Sequence, residues 1–128
     1  MPMPNLYRII LPVPDIEKAA RFYAAVLGEP GRRVSPGRHY FTCDGTILAC
    51  FDQQADGDGT AHGWKFHPSQ YLYFAVPDLE AALQRVQAAG GVIDEGIATL
   101  PWGERMFYAR DPFGSLISFV DEKTKFTG

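Results

Sequence analysis

No run of lysine or arginine interrupts the 128 residues, and the formal net charge is −3. A nucleic-acid binder normally carries a basic stripe, so no nucleic-acid partner is expected. Apolar runs are equally short. None approaches the roughly 20 residues that a membrane-crossing helix needs, so no membrane partner is expected either. The stretch Met1 to Val13 lacks a basic start and a small-residue cleavage site, and Arg8 interrupts its apolar residues. A signal peptide is therefore not expected, and the cytoplasm is the expected compartment. Cysteine is scarce: Cys43 and Cys50 are the only two. Asp44-Gly45 between them reads as a two-residue hairpin turn. That turn pairs Cys43 with Thr46 and leaves Cys50 opposite His39, which puts the thiols too far apart to bridge. Free thiols suit a reducing compartment.

What is present is an ordinary globular composition, with 46% hydrophobic and 21% charged residues. The length allows one core but not two independent ones. The chain also repeats itself. Val13-Pro14-Asp15-Ile16-Glu17 returns as Val76-Pro77-Asp78-Leu79-Glu80, and the same offset carries Ala19 to Ala82, Ala25 to Ala88 and Gly28 to Gly91. Gly45-Thr46-Ile47-Leu48-Ala49 returns as Gly114-Ser115-Leu116-Ile117-Ser118 at a slightly larger offset, as a loop insertion in the second copy would produce. Two echoes in the same order indicate a duplicated unit.

Each copy reads strand, helix, then strands. Tyr7 to Val13 and Tyr71 to Val76 are β-rich runs. Asp15 and Asp78 stand at helix N-caps, with Glu17 and Glu80 in the first turns. Ile16, Ala19, Ala20, Tyr23, Val26 and Leu27 recur at helical spacing, as do Leu79, Ala82, Leu83, Val86 and Ala89. Gly28 and Gly90-Gly91 offer left-handed stops. Strands follow at Arg38 to Cys43 and Thr46 to Asp52, and again at Arg105 to Arg110 and Ser115 to Val120. The expected fold is α+β: two tandem βαβββ modules forming a curved mixed sheet around a concave pocket, helices outside. Module one spans about residues 5–53, a polar linker about 54–69, and module two about 70–121, within a single domain.

The stretch RIILPVPDIEKAARFYAAVLG (Arg8 to Gly28) resembles the opening strand and helix of the vicinal oxygen chelate superfamily, the group of glyoxalases, bleomycin-resistance proteins and extradiol dioxygenases. YLYFAVPDLEAAL (Tyr71 to Leu83) resembles the start of its second module, and RDPFGSLISF (Arg110 to Phe119) its closing hairpin. The resemblance covers nearly the whole chain. It implies the fold more firmly than the function, because the same scaffold hosts isomerases, dioxygenases, antibiotic-modifying enzymes and pure binders. It implies a homodimer as well. Metal-dependent members place His, Gln or Glu at up to four inward strand positions, converging on a divalent ion. Counted from Asp15, Asp78 and Asp111, the matching residues here are Arg8, Tyr71 and Ser118, with Ala49 as the repeat partner of Ser118. Arginine keeps its proton and alanine has no donor atom. No metal and no cofactor are therefore expected.

In place of the metal, Arg8 would project a guanidinium into the cup. Alternation sets Ile10, Tyr40, Ile47, Phe51, Tyr71, Tyr73 and Phe107 on its face. Arg38 and Arg105 reach toward the rim. The expected ligand-binding set is Arg8, Tyr40, Phe51, Tyr71, Tyr73, Trp102, Arg105, Phe107 and Ser118, suited to a planar anion held by stacking and a bidentate fork. The competing reading is that Arg8 pairs with Glu104 or another acid while the aromatics pack an interface. Glu104 and Tyr71 are the candidates for acid–base catalysis, though Glu104 also suits a surface salt bridge. His39 opposite Cys50 invites a thiolate–imidazole reading, but Cys50 alternates toward the helix side, which favours a packed pair. His62 and His67, bracketing Trp64, read as solvated loop residues or as a lid. Asp52, Asp56 and Asp58 do not fit a calcium loop. Three functions stay open: a metal-independent binder of a small anionic or aromatic molecule, a glyoxalase- or dioxygenase-type enzyme with a displaced metal or acid–base site, and a protein-interaction module.

Overall fold

The computed structural model describes residues 3–57 and 69–128. The chain divides into two compact units, Met1–Lys65 and Phe66–Gly128. Each is a βαβββ module, so the fold class is α+β, as the repeats predict. Among the described residues, no helix is long and apolar enough to cross a membrane.

In the first unit, β1 (Arg8–Pro12) leads to α1 (Ile16–Leu27), then β2 (Arg32–Ser35), β3 (Arg38–Cys43) and β4 (Thr46–Phe51). The sheet order is β1-β4-β3-β2, with β1 parallel to β4 and the rest antiparallel. Helix α1 starts where Asp15 accepts the Lys18 N–H at 3.1 Å, and it stops at Gly28, whose φ of 75° is left-handed. Its buried face, Ile16, Ala19, Phe22, Tyr23 and Val26, packs on β3 and β4 over Phe41, Leu48 and Cys50. Asp44 and Gly45 both take positive φ, 46° and 95°, so the tight turn pairs Cys43 with Thr46 and His39 with Cys50. Both cysteines are thiols.

The second unit repeats the plan: β5 (Tyr71–Val76), α2 (Leu79–Ala88), β6 (Val92–Thr99), β7 (Arg105–Arg110) and β8 (Leu116–Asp121), closed by a single 3-10 turn at Glu122–Thr124. The sheet order is β5-β8-β7-β6. Asp78 caps α2 by accepting the Ala81 N–H at 3.0 Å. The duplication is kept to the residue: β1 pairs Arg8 with Ile47, and β5 pairs Tyr71 with Leu116, the positions that the two sequence offsets relate.

Two strands escape the sequence pattern, β2 and β6. Arg32–Ser35 is short and mostly exposed, and Val92–Thr99 carries two register irregularities against β7 that break its alternation.

Two expected site residues also lie on the other face of their sheet. Phe107 pairs with Phe119 in register and stacks on it, ring centroids 5.0 Å apart. Phe119 in turn stacks on Phe74 at 5.3 Å, so Phe107 belongs to the fully buried core on the helix side, not to the face of Tyr71 and Tyr73. Arg105 shares that side, and its Nη1 meets Glu80 of α2 at 2.7 Å and Asp121 at 3.9 Å. The cause is the length of the Asp111–Ser115 turn. It differs in parity from the Asp44-Gly45 turn of the first copy, which reverses the phase of β7.

Candidate functional site

Each sheet covers one face with its helix and leaves the other without one. On the open face of the first unit, alternation lines up Arg8, Ile10, Ile47, Ala49 and Phe51 with Arg38, Tyr40 and Arg32. The Arg8 guanidinium stands 5.3 Å from the Tyr7 ring centre and 5.9 Å from that of Tyr40. Arg32, which the sequence reading missed along with β2, lies 5.8 Å from Tyr40 and donates to the Thr42 hydroxyl at 3.0 Å. Arg38 lies 4.3 Å over Phe51 and is ion-paired to Asp56. Asp56 is fixed in turn by the Gly37 N–H at 2.8 Å. Among the described residues, no carboxylate pairs with Arg8. The expected grouping of Arg8, Tyr40 and Phe51 on one face is therefore present.

The open face of the second unit is made of tyrosines. Tyr73 and Tyr108 flank Ser118 in register from the strands on either side, and Tyr71 lies two residues before Tyr73. The Tyr71 and Tyr73 rings are 6.4 Å apart, tilted by 41°, and about half exposed. Tyr108 was not anticipated, yet it faces Ser118 as Tyr40 faces Ala49, so it is the repeat counterpart of Tyr40. Its phenol is pushed up to about 12, first by burial, then by a hydrogen bond with Tyr73 and by the charges of Tyr73, Glu95 and Tyr71. Ser118 is buried, and its hydroxyl oxygen has no hydrogen-bond partner among the described residues. Tyr71, Tyr73 and Tyr108 border a cavity of about 580 Å³, with Asp94, Glu95 and Arg110 among its other walls. Arg110 Nε pairs with Asp94 at 2.7 Å.

Trp102 and Glu104 sit together just before β7. Glu104 is buried, and both of its carboxylate oxygens are occupied: one accepts the Trp102 indole N–H at 2.7 Å, the other the Phe126 backbone N–H at 2.8 Å. Glu104 thus ties down the C-terminal segment beside a second cavity, of about 400 Å³, and among the described residues the expected surface salt bridge is not seen. His39 is held on the helix side, its Nε2 at 2.9 Å from the Pro30 carbonyl and its Nδ1 accepting from Arg33 at 3.3 Å, opposite the buried Cys50. Asp52 accepts from the Ile16 and Ala55 N–H groups, so it supports the start of α1 and the turn after β4. His62, Trp64 and His67 lie outside the described residues, as does Asp58.

A family model for the Glyoxalase/Bleomycin resistance protein/Dioxygenase superfamily matches residues 5–119. The chain belongs to this superfamily. Solved structures with the same fold include a glyoxalase-related enzyme from Fulvimarina pelagi, at a TM-score of 0.78 and 24% identity, covering 95% of this chain and 91% of that one. A lactoylglutathione lyase from Agrobacterium tumefaciens superposes with a TM-score of 0.73 at 22% identity, over 96% of this chain and 97% of its own. A glyoxalase/bleomycin resistance protein/dioxygenase from Nocardioides gives 0.68 at 25%, over 94% and 85%. No curated protein matches the sequence.

The positions that the resemblance matches to the metal ligands of metal-dependent members carry Arg8 and Ala49 in one unit and Tyr71 and Ser118 in the other. A guanidinium has no free lone pair, a methyl group has no donor, and the two hydroxyls are weak ligands while protonated. This donor set does not fit a divalent ion. Among the described residues, no group of three His, Cys, Asp or Glu side chains is placed to hold one elsewhere.

Proposed function

We propose that this glyoxalase-superfamily protein binds a small aromatic anion on the open face of its first module, through Arg8 and without the divalent metal of its metal-dependent relatives. The observation that carries the reading is Arg8 itself. Its guanidinium stands at a family ligand position, beside Tyr40, with no carboxylate partner among the described residues. A guanidinium in that place supplies fixed positive charge and a planar fork of donors that matches a carboxylate or phosphate. Tyr40 and Phe51 supply flat surface for the ligand's ring. Arg38, held over Phe51, has its charge compensated by Asp56, so Arg8 and the neighbouring Arg32 supply the positive charge of the face. The acid–base alternative draws no support from Glu104, whose two oxygens are both taken by N–H donors.

The test is calorimetric titration with 2-naphthoate, using the uncharged 2-naphthamide as control. The acid should bind more tightly than the amide, and Arg8→Ala should cost roughly 1.5–3 kcal/mol of its affinity, the worth of a hydrogen bond to a charged group. Equal affinity of the acid for wild type and Arg8→Ala would end the assignment.

A further inference from the structure

The open face of the second module has the opposite chemistry. Three tyrosine rings border its cavity, and the only guanidinium among the bordering residues, that of Arg110, is already committed to Asp94. Glu95, on the same wall, has no cationic partner among the described residues, which leaves the cavity with one uncompensated negative charge. Aromatic faces carry negative potential, so these rings, two of them 6.4 Å apart, with a carboxylate beside them attract an organic cation. Ser118, in register between Tyr73 and Tyr108, is buried and lies outside the residues that border the cavity.

From the tyrosine trio and the lone Glu95 charge, we infer that this face is a binding site for a small organic ammonium ion. The inference deepens the preceding reading, on whose premise it rests: that the open faces of these modules hold small molecules without a metal. The tyrosines are cage walls rather than catalysts, and the raised phenol of Tyr108 is consistent with that. The surroundings that disfavour a phenolate there include the charge of Glu95, and that charge favours a cation in the cavity.

The probe is choline, titrated by calorimetry against 3,3-dimethyl-1-butanol, in which carbon replaces the quaternary nitrogen and the shape is kept. Choline should bind at least about tenfold more tightly than the alcohol, as expected when several rings and a carboxylate act on one cation. Glu95→Gln and Tyr73→Leu should each weaken choline by about three- to tenfold. Glu122→Gln removes an exposed carboxylate of the same unit outside the cavity and should change nothing. Unfolding midpoints of all variants should stay near that of wild type, which separates lost binding from lost fold. Equal binding of choline and the alcohol, or an equal loss in the Glu122 variant, would overturn the ammonium assignment. The 2-naphthoate titration reads the other module. Its failure alongside a choline preference would sink the Arg8 reading alone, and the reverse pattern would sink this one.

Discussion

At the scale of single residues, the protein separates its titratable groups by task. Tyr108 keeps its proton through the physiological range, because burial and the groups around it hold the phenol at about 12 against an ordinary value of 10.0. A folded-state value above the unfolded one means that the protonated phenol contributes stability in full below about pH 10, and that this contribution fades as pH climbs toward about 12. An alkaline titration of phenolate absorbance should therefore show one late component that disappears in Tyr108→Phe. If Tyr108→Phe instead removes a component near the ordinary value, the packing of Tyr73, Tyr108 and Glu95 is not as described. Glu104 presents a different case. The sequence offered it as a base, but the Trp102 and Phe126 N–H groups occupy both oxygens. Glu104→Gln keeps one acceptor oxygen and loses the charge, so we expect a loss of stability of about 1–3 kcal/mol in chemical denaturation.

At the scale of elements, much was legible because the signals were local. The repeated Val-Pro-Asp placed both helix starts, Asp44-Gly45 fixed the first hairpin's register, and period-two alternation set Arg8, Tyr40 and Phe51 on one face. What could not be read depends on partners distant in sequence. β2 is short and exposed, so nothing apolar marks it, and Arg32 was lost with it. β6 has irregular register, which erases alternation. In β7 the phase is set by the preceding turn's geometry and by Phe119 across the ladder. Phe107 and Arg105 were accordingly assigned to the wrong face, and Tyr108 was overlooked. One element invites a direct test. At Gly37, where β3 begins, an added Cβ would lie 2.2 Å from the Asp52 carbonyl oxygen and 2.8 Å from the Asp56 nitrogen. Those are backbone atoms and cannot swing aside. Gly37→Ala should destabilise the protein by about 1–3 kcal/mol, the usual cost of overpacking. It should also free Arg38 from Asp56, visible as an upfield-shifted or broadened Arg38 guanidinium N–H signal in NMR spectra.

At the scale of the whole molecule, the chain has the superfamily scaffold, and the positions that the resemblance matches to metal ligands carry Arg8, Ala49, Tyr71 and Ser118. Plasma mass spectrometry on untagged, unchelated protein, before and after incubation with excess zinc, manganese, iron and nickel, should find no near-stoichiometric metal. A stoichiometric ion would reverse the metal-independent reading and direct attention to His39, His62, His67 and Glu104 as ligands. The comparisons fix the family and the fold. The site chemistry comes from this chain's own side chains, which is why the two modules have to be probed separately, one with an anion and one with a cation.

The matched places of Tyr40 and Tyr108, each facing the same strand position in its own module, carry a historical consequence. Once a gene holds two copies of one frame, a substitution in either is inherited without touching the other. Selection can then shape the copies along separate lines while the ancestral ladder stays intact. Arg8 and Tyr71 hold matched places in the two frames, one charged and one neutral, within a single chain.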